Sequence, residues 1–540
     1  MFGGDTRRLA GVAMDLSKRA ATGVLICAVL GMSVQAQPGY PPAPTPHRTF
    51  QAGTVVSSGQ SQGGQSSGGQ TATQTPQSTP QVRSQPSAPP PLSLSAGQIA
   101  LLERTLAQAD THGFRPGQFY PADLDAQLHR PDLQKSAQDQ LIYLTLRYAQ
   151  AVHSGRLTAN NFDVNWGLHP APYDPTPDFV QAINTDRLGP WLDSLPPPYP
   201  GYDSLRTALA TYRQIAAAGG WDEIADGPAL KPGMADVRVR ALRARLAIED
   251  PTVTTTGGSV YDAALQASVI KAQKRYGLNP DAVVHGATLT ALNVPVEARI
   301  DQIIANMERW RWLPQTLPAD RIQVNIAAAV LTLFRGDQPY LSMKAVTGRP
   351  GDDTPMLSSV IFSIVFNPPW NVPSDIATKE LWPKERARPG YLAKHDFRVI
   401  DTGNGGVRLQ QKAGDQAALG HVKFDFNNPY GVYLHDTPSH GGFGRYTRQE
   451  SHGCVRLERP VVLAKALLEG DPKWTPDVID QTVAEGVTTT RTSIPEPIAV
   501  FLLYWTAFVG ADGAANFRAD PYGWDPELMQ RIDAGANRNA

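Results

Sequence analysis

A stretch that lacks the means to fold divides this chain. Within residues 51–90, 33 of 40 side chains are Gly, Ser, Gln, Pro or Thr, and Arg83 is the only charge. Such a segment buries too little apolar surface to offset its conformational entropy, so any packed structure must begin beyond it. Ahead of it, Arg7, Arg8, Lys18 and Arg19 flank an uncharged run of 15 residues, 20–34, and Val34-Gln35-Ala36 offers a cleavage point before Gln37. This three-part pattern predicts an export signal over residues 1–36, either cleaved or retained as an inner-membrane anchor. A disordered linker over 37–92 follows.

The remaining length exceeds what one hydrophobic core organises, and its periodicity changes twice. Leu101, Leu102, Leu106, Leu141, Ile142, Leu144, Leu146 and Tyr148 recur at helical spacing, as do Leu205, Leu209, Tyr212 and Ile215 before Gly219-Gly220. These predict a helical scaffold domain over 93–228. Short amphipathic helices are expected over 229–296, from Val237, Val239, Leu242 and Leu246 and then Leu265, Val269 and Ile270. A connecting helix at 297–320 places Ile303, Ile304, Met307 and Trp310 on one side. From Arg321 the period becomes two, through Ile322, Val324 and Ile326 and again through Leu341, Met343 and Ala345. A β-rich domain is therefore expected over 321–525, with its last strand at 498–509 and a flexible tail at 526–540. The fold class is multidomain α+β.

Acidic and basic residues total 50 and 49, so the chain lacks the positive excess that a nucleic-acid partner demands. Two cysteines exclude a disulfide framework and a cysteine-built metal cluster. Cys27 falls in the export segment, which leaves Cys454 in the sequence Ser451-His452-Gly453-Cys454-Val455-Arg456. A thiol becomes a strong nucleophile when a neighbouring imidazole accepts its proton, and His435, in Tyr433-Leu434-His435-Asp436-Thr437-Pro438, is the candidate. Gly453 permits a tight turn at which backbone N–H groups converge on an oxyanion. The planar fork of Arg456 suits a substrate carboxylate. The residues alone leave two other readings open: an inert structural thiol, and a zinc site built from His435, His440, His452 and Cys454.

The same strings resemble the signature of the L,D-transpeptidases of the YkuD type, and more closely their YcbB-like branch. The marks are Gly348-Arg349-Pro350, Thr354-Pro355, the run from Phe366 through Trp370 to Pro373, Pro389-Gly390-Tyr391-Leu392, and His435-Asp436-Thr437-Pro438. Tyr504, Thr506-Ala507-Phe508 and Asp512-Gly513 fit too, as do His153-Ser154-Gly155-Arg156 and Gly219-Gly220-Trp221 in the helical part. Residues 229–296 resemble a small three-helix peptidoglycan-binding module, through Asp236-Val237-Arg238-Val239, Gln273-Lys274-Arg275-Tyr276-Gly277-Leu278 and Thr288-Leu289-Thr290-Ala291-Leu292-Asn293.

The resemblance implies a helical scaffold, the three-helix module and a β-rich YkuD-like catalytic domain whose segment 371–419 is a capping subdomain. It implies that Cys454 is the nucleophile and His435 its base, with the Asp436 carbonyl orienting the ring and the Gly453 and Cys454 amides forming the oxyanion pocket. Arg456, Tyr433, Trp370, Tyr446 and His452 are expected to meet substrate, His452 as a support and not an essential base. Arg445 and Arg448 add charge nearby. The implied reaction is 3-3 cross-linking of peptidoglycan tetrapeptide stems, donor and acceptor, in the periplasm, without cofactor or metal, and with carbapenems as covalent inhibitors. The alternatives are an L,D-carboxypeptidase using the same cysteine and a non-catalytic wall-binding protein.

Overall fold

The computed structural model describes residues 92–403 and 405–538, so the export segment and the linker as far as residue 91 lie outside the described residues. Order starts where the sequence supplies a helix cap. The Ser95 hydroxyl accepts from the Gln98 N–H, and the Gln98 side chain accepts from the Ser95 N–H, a reciprocal capping box that opens the helix Ala96–Ala107. With Ala122–Leu128, Gln134–Ser154, Thr176–Asn184 and Leu188–Ser194 it encloses a core of Leu102, Leu106, Phe114, Leu141, Val152 and Phe179. Among the described residues no helix is long and apolar enough to cross a membrane.

The next helix, Pro200–Ala217, turns Tyr202, Leu205, Leu209 and Tyr212 into a second, larger core. That core also takes in three short helices, Arg238–Glu249, Ala263–Arg275 and Ala287–Leu292, which two isolated bridges, Leu230 with Val284 and Ala235 with Val260, draw together. Their polar centre is Glu249. It pairs with Arg245 at 2.8 Å and accepts from the Tyr212 and Tyr276 hydroxyls at 2.5 Å each, which ties the three-helix unit to Pro200–Ala217.

Val296–Trp310 is the spine of the molecule, packed against Pro200–Ala217, the C-terminal helix and the β-hairpin that precedes it. Apolar periodicity gives it one buried side, yet 11 of its 15 residues are buried, so its polar face is interior as well. Asn306 Nδ2 donates to Thr506 Oγ1 at 2.7 Å, Gln302 Nε2 to the Thr506 and Arg518 carbonyls at 3.2 and 2.9 Å, and Arg309 pairs with Asp525 at 2.5 Å. Glu308, fully enclosed, binds Arg156 at 3.0 Å and Arg311 at 2.7 Å. Burial alone raises the pKa of this carboxyl, but the two guanidiniums outweigh it and hold the group below the ordinary carboxylate range. Gly155, at φ +81°, makes the close approach possible: a Cβ there would stand 2.5 Å from Glu308 Oε1.

Beyond the spine the chain is mostly β. The main sheet contains β1 (Arg321–Asn325), β2 (Val330–Arg335), β3 (Gln338–Gly348) and β4 (Leu357–Phe366). A separate three-stranded sheet, ordered β5-β7-β6, comprises β5 (Trp370–Asn371), β6 (Phe397–Asp401) and β7 (Val407–Gln411). The chain then returns to the main sheet with β8 (Val422–Phe426), β9 (Leu434–His435), β10 (Gln449–Ser451), β11 (Val455–Leu457) and β12 (Thr490–Leu503). Strand order there is β10-β3-β11-β9-β8-β4-β12-β1-β2. Because β3 is 11 residues long it pairs with β2 along its first half and with β11 and β10 near its end, which closes the sheet on itself. The small sheet has a core of its own, in Val372, Ile376, Ala377, Leu381, Leu392 and Leu409.

Two expectations for the C-terminus are corrected. The strand placed at 498–509 is two: β12 stops at Leu503, and β13 (Ala507–Val509) pairs with β14 (Ala515–Phe517) in a hairpin apart from the main sheet. Residues 504–506 leave the ladder because Thr506 spends its hydroxyl and both backbone groups on Asn306, Gln302, Arg518 and Asp525. The flexible tail placed at 526–540 is instead largely a helix, Trp524–Arg538. Trp524, Leu528 and Ile532, four apart, are buried, and Arg531 binds Asp163 at 3.0 Å.

Replacing Glu308 with Ala leaves Arg156 and Arg311 as interior cations without a counter-charge. It is expected to cost about 3–5 kcal/mol, read as a fall in the urea midpoint and melting temperature. A loss below about 1 kcal/mol would show that this contact does not hold the domains together.

Candidate active site

Register alone gathers the site. In the parallel pair β9 and β11, Leu434 faces Val455 and His435 faces Arg456, and the Val455 N–H donates to the Tyr433 carbonyl at 3.1 Å. Side chains alternate along a strand, so Leu434 and Val455 enter the core, where both are fully buried, while Tyr433, His435, Cys454 and Arg456 share the opposite face. The antiparallel neighbour β8 adds Lys423, directly across from His435. A row Lys423, His435, Arg456 therefore crosses three strands, with Tyr433 and Cys454 beside it. The Tyr433 ring stands edge-on to His435 at 5.5 Å, and Lys423 Nζ lies 4.2 Å from the Tyr433 ring centre.

His435 is 4% exposed, and its Nδ1 meets the Asp436 carbonyl at 2.5 Å. That contact assigns the ring proton to Nδ1 and leaves Nε2 as the basic nitrogen. The Asp436 carboxylate is turned elsewhere, accepting from the His421 and Thr437 N–H groups at 2.8 and 2.7 Å. Burial, then the cation of Arg456, lower the His435 pKa to about 3, against the opposing pull of the Asp436 carbonyl. Burial likewise pushes the Cys454 thiol above its ordinary value, and the Tyr433 backbone and hydroxyl, Lys423 and Arg456 only partly compensate. The ring and the thiol form no hydrogen bond with each other in this arrangement. At neutral pH the resting pair is therefore an un-ionised thiol beside a neutral imidazole.

Gly453 adopts φ +105°, in the region that disfavours a side chain, although only ordinary contacts would meet a Cβ there. Its N–H donates to Ser451 Oγ at 3.2 Å, and that hydroxyl donates to the Cys454 carbonyl at 2.6 Å, so one of the two anticipated oxyanion donors is engaged in the turn. His452 Nε2 lies 2.6 Å from Glu380 Oε1. A shallow recess opens beside this loop, lined by Asp352, Asp353, Tyr430, Val432, His452 and Gly453. Burial and the repulsion of Asp352 and Asp163 raise the Asp353 pKa to about 7, against the N–H of Gly351.

The other anticipated residues divide. Trp370, in β5, contacts the Tyr433 hydroxyl and so joins the site. Tyr446 is 48% exposed on the loop before β10 and is not among the residues lining the recess. Arg445 pairs with Glu450 at 2.6 Å. Arg448 is buried and donates to the carbonyls of Ala328, Ala329, Ala345 and Arg445, a structural role that replaces the one its charge implied. His440 sits exposed in a short turn, and among the described residues no three His, Cys, Asp or Glu side chains converge as metal ligands. Lys423, Glu380 and Asp353 were not singled out from the sequence. The alternation Val422-Lys423-Phe424-Asp425-Phe426 was a legible signal for the first of them.

Comparison with known proteins supports the placement of this domain. Residues 319–476 match the family model of the L,D-transpeptidase catalytic domain, YkuD, and residues 93–209 match the Scaffold domain model. A protein of Haemophilus influenzae named "Putative L,D-transpeptidase" is 33% identical over 249 residues, 43% of this chain and 50% of that protein. The chain thus spans about half the length of the curated relative it matches. Among solved structures, an L,D-transpeptidase fragment from Xylanimonas cellulosilytica is 17% identical, covering 52% of this chain and 100% of the other, with a TM-score of 0.19. L,D-transpeptidase 3 from Mycobacterium tuberculosis, in complex with a faropenem-derived adduct, is 14% identical over 34% of this chain and 60% of its own, with a TM-score of 0.18. Scores this low do not establish a shared overall fold, and the placement rests on the family model and the sequence relative. Residues 319–476 are thus the part of the chain that is similar to the L,D-transpeptidase catalytic domain of the YkuD type.

Proposed function

We propose that this protein forms 3-3 cross-links in peptidoglycan through a Cys454 acyl-enzyme, working in the periplasm behind the export signal. The observation that carries the reading is the common face of Tyr433, His435, Cys454 and Arg456, with His435 Nδ1 fixed on the Asp436 carbonyl and Nε2 left basic. Cys454 gives its proton to Nε2 and its sulfur attacks the carbonyl of the diaminopimelate, the third residue of a tetrapeptide stem. The tetrahedral intermediate collapses as the C–N bond to D-alanine breaks, and the departing amine takes the proton from His435. The side-chain amine of diaminopimelate on an acceptor stem then opens the thioester. It loses a proton to His435, which returns it to the sulfur. Water in place of the amine gives the L,D-carboxypeptidase outcome from the same intermediate.

Arg456 binds the stem carboxylate and so acts on the base. After burial, its cation is the main influence that depresses His435, whereas it acts more weakly on the thiol, so neutralising it by a substrate carboxylate favours transfer of the thiol proton to the ring. Trp370 and Tyr433 bound the cleft, Tyr446 meets substrate from the loop, and residues 371–419, with their separate small core, cap it against water. The helices between Arg238 and Leu292 form the peptidoglycan-binding module, and the chain falls in the YcbB-like branch of the family. The N-terminal segment, cleaved or kept as an anchor, delivers the enzyme to the wall, and carbapenems acylate Cys454.

With purified tetrapeptide muropeptides, the wild-type protein is expected to release D-alanine and yield cross-linked dimers detectable by mass spectrometry, and Cys454→Ala none. Replacing His435 with Ala is expected to lower the rate by about 10²–10⁴-fold. Equal dimer formation by the wild type and Cys454→Ala would refute the assignment.

The resting protonation state makes a second expectation. His435, with its pKa lowered to about 3, carries no proton on Nε2 at any pH from about 5 upward, and the Cys454 pKa lies above its ordinary value. Alkylation of Cys454 by iodoacetamide should therefore rise about tenfold per pH unit from about pH 6 to 8, with no step near the ordinary histidine value. A rate that is flat across this range would reveal a preformed thiolate–imidazolium pair instead.

A further inference from the structure

Three contacts join one segment to the surroundings of the nucleophile. Glu380 Oε1 meets His452 Nε2 at 2.6 Å, two residues before Cys454 in the chain. Trp370 reaches the Tyr433 hydroxyl, and the backbone of Leu419 faces the His435 ring. Residues 370–419 thus touch His452, Tyr433 and His435, three of the side chains near Cys454, and do so through polar atoms, while their apolar groups pack among themselves. A segment with its own core, held to the sheet by a few polar contacts, moves as a unit when those contacts break.

Glu380 belongs to the π-helical turn Ala377–Leu381, a backbone form concentrated at functional positions. Its second partner is Arg349 Nη2 at 3.6 Å, and Arg349 in turn holds Asp352 at 2.6 and 2.8 Å. Asp352, His452 and Gly453 line the same recess. The chain Glu380, Arg349, Asp352 therefore links the segment to the wall of the recess, as Glu380 and His452 link it to the nucleophile's turn.

We propose that Glu380 is a positioning residue that latches residues 370–419 over Cys454 through His452, and that the latched state sets whether an amine or water resolves the acyl-enzyme. The partition rests on the acyl-transfer reading above. In both branches the thioester C–S bond breaks, and the attacking amine or water gives its proton through His435 to the departing sulfur. The amine branch forms an amide and the water branch a carboxylic acid. A closed latch screens the thioester from bulk water and leaves the recess beside Gly453 as the acceptor's approach.

The test uses the full chain as wild type, Glu380→Ala and Glu380→Gln. Two readouts are taken: the alkylation rate of Cys454 by iodoacetamide at one pH, and the ratio of cross-linked dimer to trimmed tripeptide from tetrapeptide muropeptides. Loss of the latch is expected to raise alkylation by about fivefold and to shift products toward tripeptide by a similar factor. Glu380→Gln, which keeps an acceptor oxygen for His452, falls between. A Glu380→Ala protein that melts earlier but leaves both readouts unchanged would overturn the latch while the transpeptidase reading stands. Faster alkylation with no product from any of the three proteins would sink the acyl-transfer reading and the partition with it, leaving the latch supported by access to the sulfur.

Discussion

The enclosure of Glu308 is the constraint on which the architecture depends. A carboxylate taken wholly out of water must be met by cations and donors on every side, and here they come from separate parts of the chain. Arg156 arrives from the end of the helix Gln134–Ser154, Arg311 from the end of the spine itself, and Arg311 also donates to the carbonyl of His112 and to the Tyr202 hydroxyl at 2.9 Å. These demands fix the helical domain against the spine. The opposite side of the spine fixes Thr506 through Asn306 and Gln302, and Thr506 lies three residues past the end of β12. Since β12 lies between β4 and β1, and β4 leads through β8 to β9, the position of His435 is connected by continuous pairing to the strand that runs into Thr506.

Within the sheet, alternation does the work that a loop-built site would leave to chance. Leu434 and Val455 anchor β9 and β11 in the core, so the residues on either side of them are forced to the other face. The same burial that fixes the geometry sets the electrostatics. With the ring enclosed and Arg456 and Lys423 flanking it, His435 is kept neutral, and the thiol is kept protonated because its charged form is equally poorly solvated. An exposed cysteine with a lowered pKa would react with many electrophiles, whereas a half-buried neutral thiol is less reactive until its surroundings change.

Much of this was legible in sequence where a single strong period or a short motif carried the signal. The switch from helical spacing to alternation near Arg321 locates β1, and the His435 and Cys454 strings locate the face that β9 and β11 build. The polar residues of the spine were not legible. Gln302, Asn306, Glu308 and Arg309 look like a solvated helix face until Thr506, Asp525 and Arg156, far away in sequence, turn out to need them. The C-terminal helix was missed for the opposite reason: Trp524, Leu528 and Ile532 are spaced correctly, but Pro521, Gly523 and Pro526 at its start read as turn signals, and the helix packs on the spine. Arg448 illustrates a third case: expected only to add charge near the site, it is buried, and its charge is spent on backbone carbonyls at the closure of the sheet.

The resting site is assembled but not primed, and its separate features agree on this. The His435 ring addresses the Asp436 carbonyl and not the sulfur, the Gly453 N–H is occupied by Ser451, and both members of the pair are un-ionised. Each is altered by a bound ligand in the same direction. A carboxylate near Arg456 removes the charge that suppresses the ring's basicity. A carbonyl oxygen approaching the turn competes with a neutral hydroxyl for the Gly453 N–H, and wins more readily as it gains negative charge. Exclusion of water strengthens every one of these interactions, because the local dielectric falls. On the proposed mechanism, activation by the ligand follows from building a cysteine site on a half-buried face of a closed sheet, where a standing ion pair would be the more costly state.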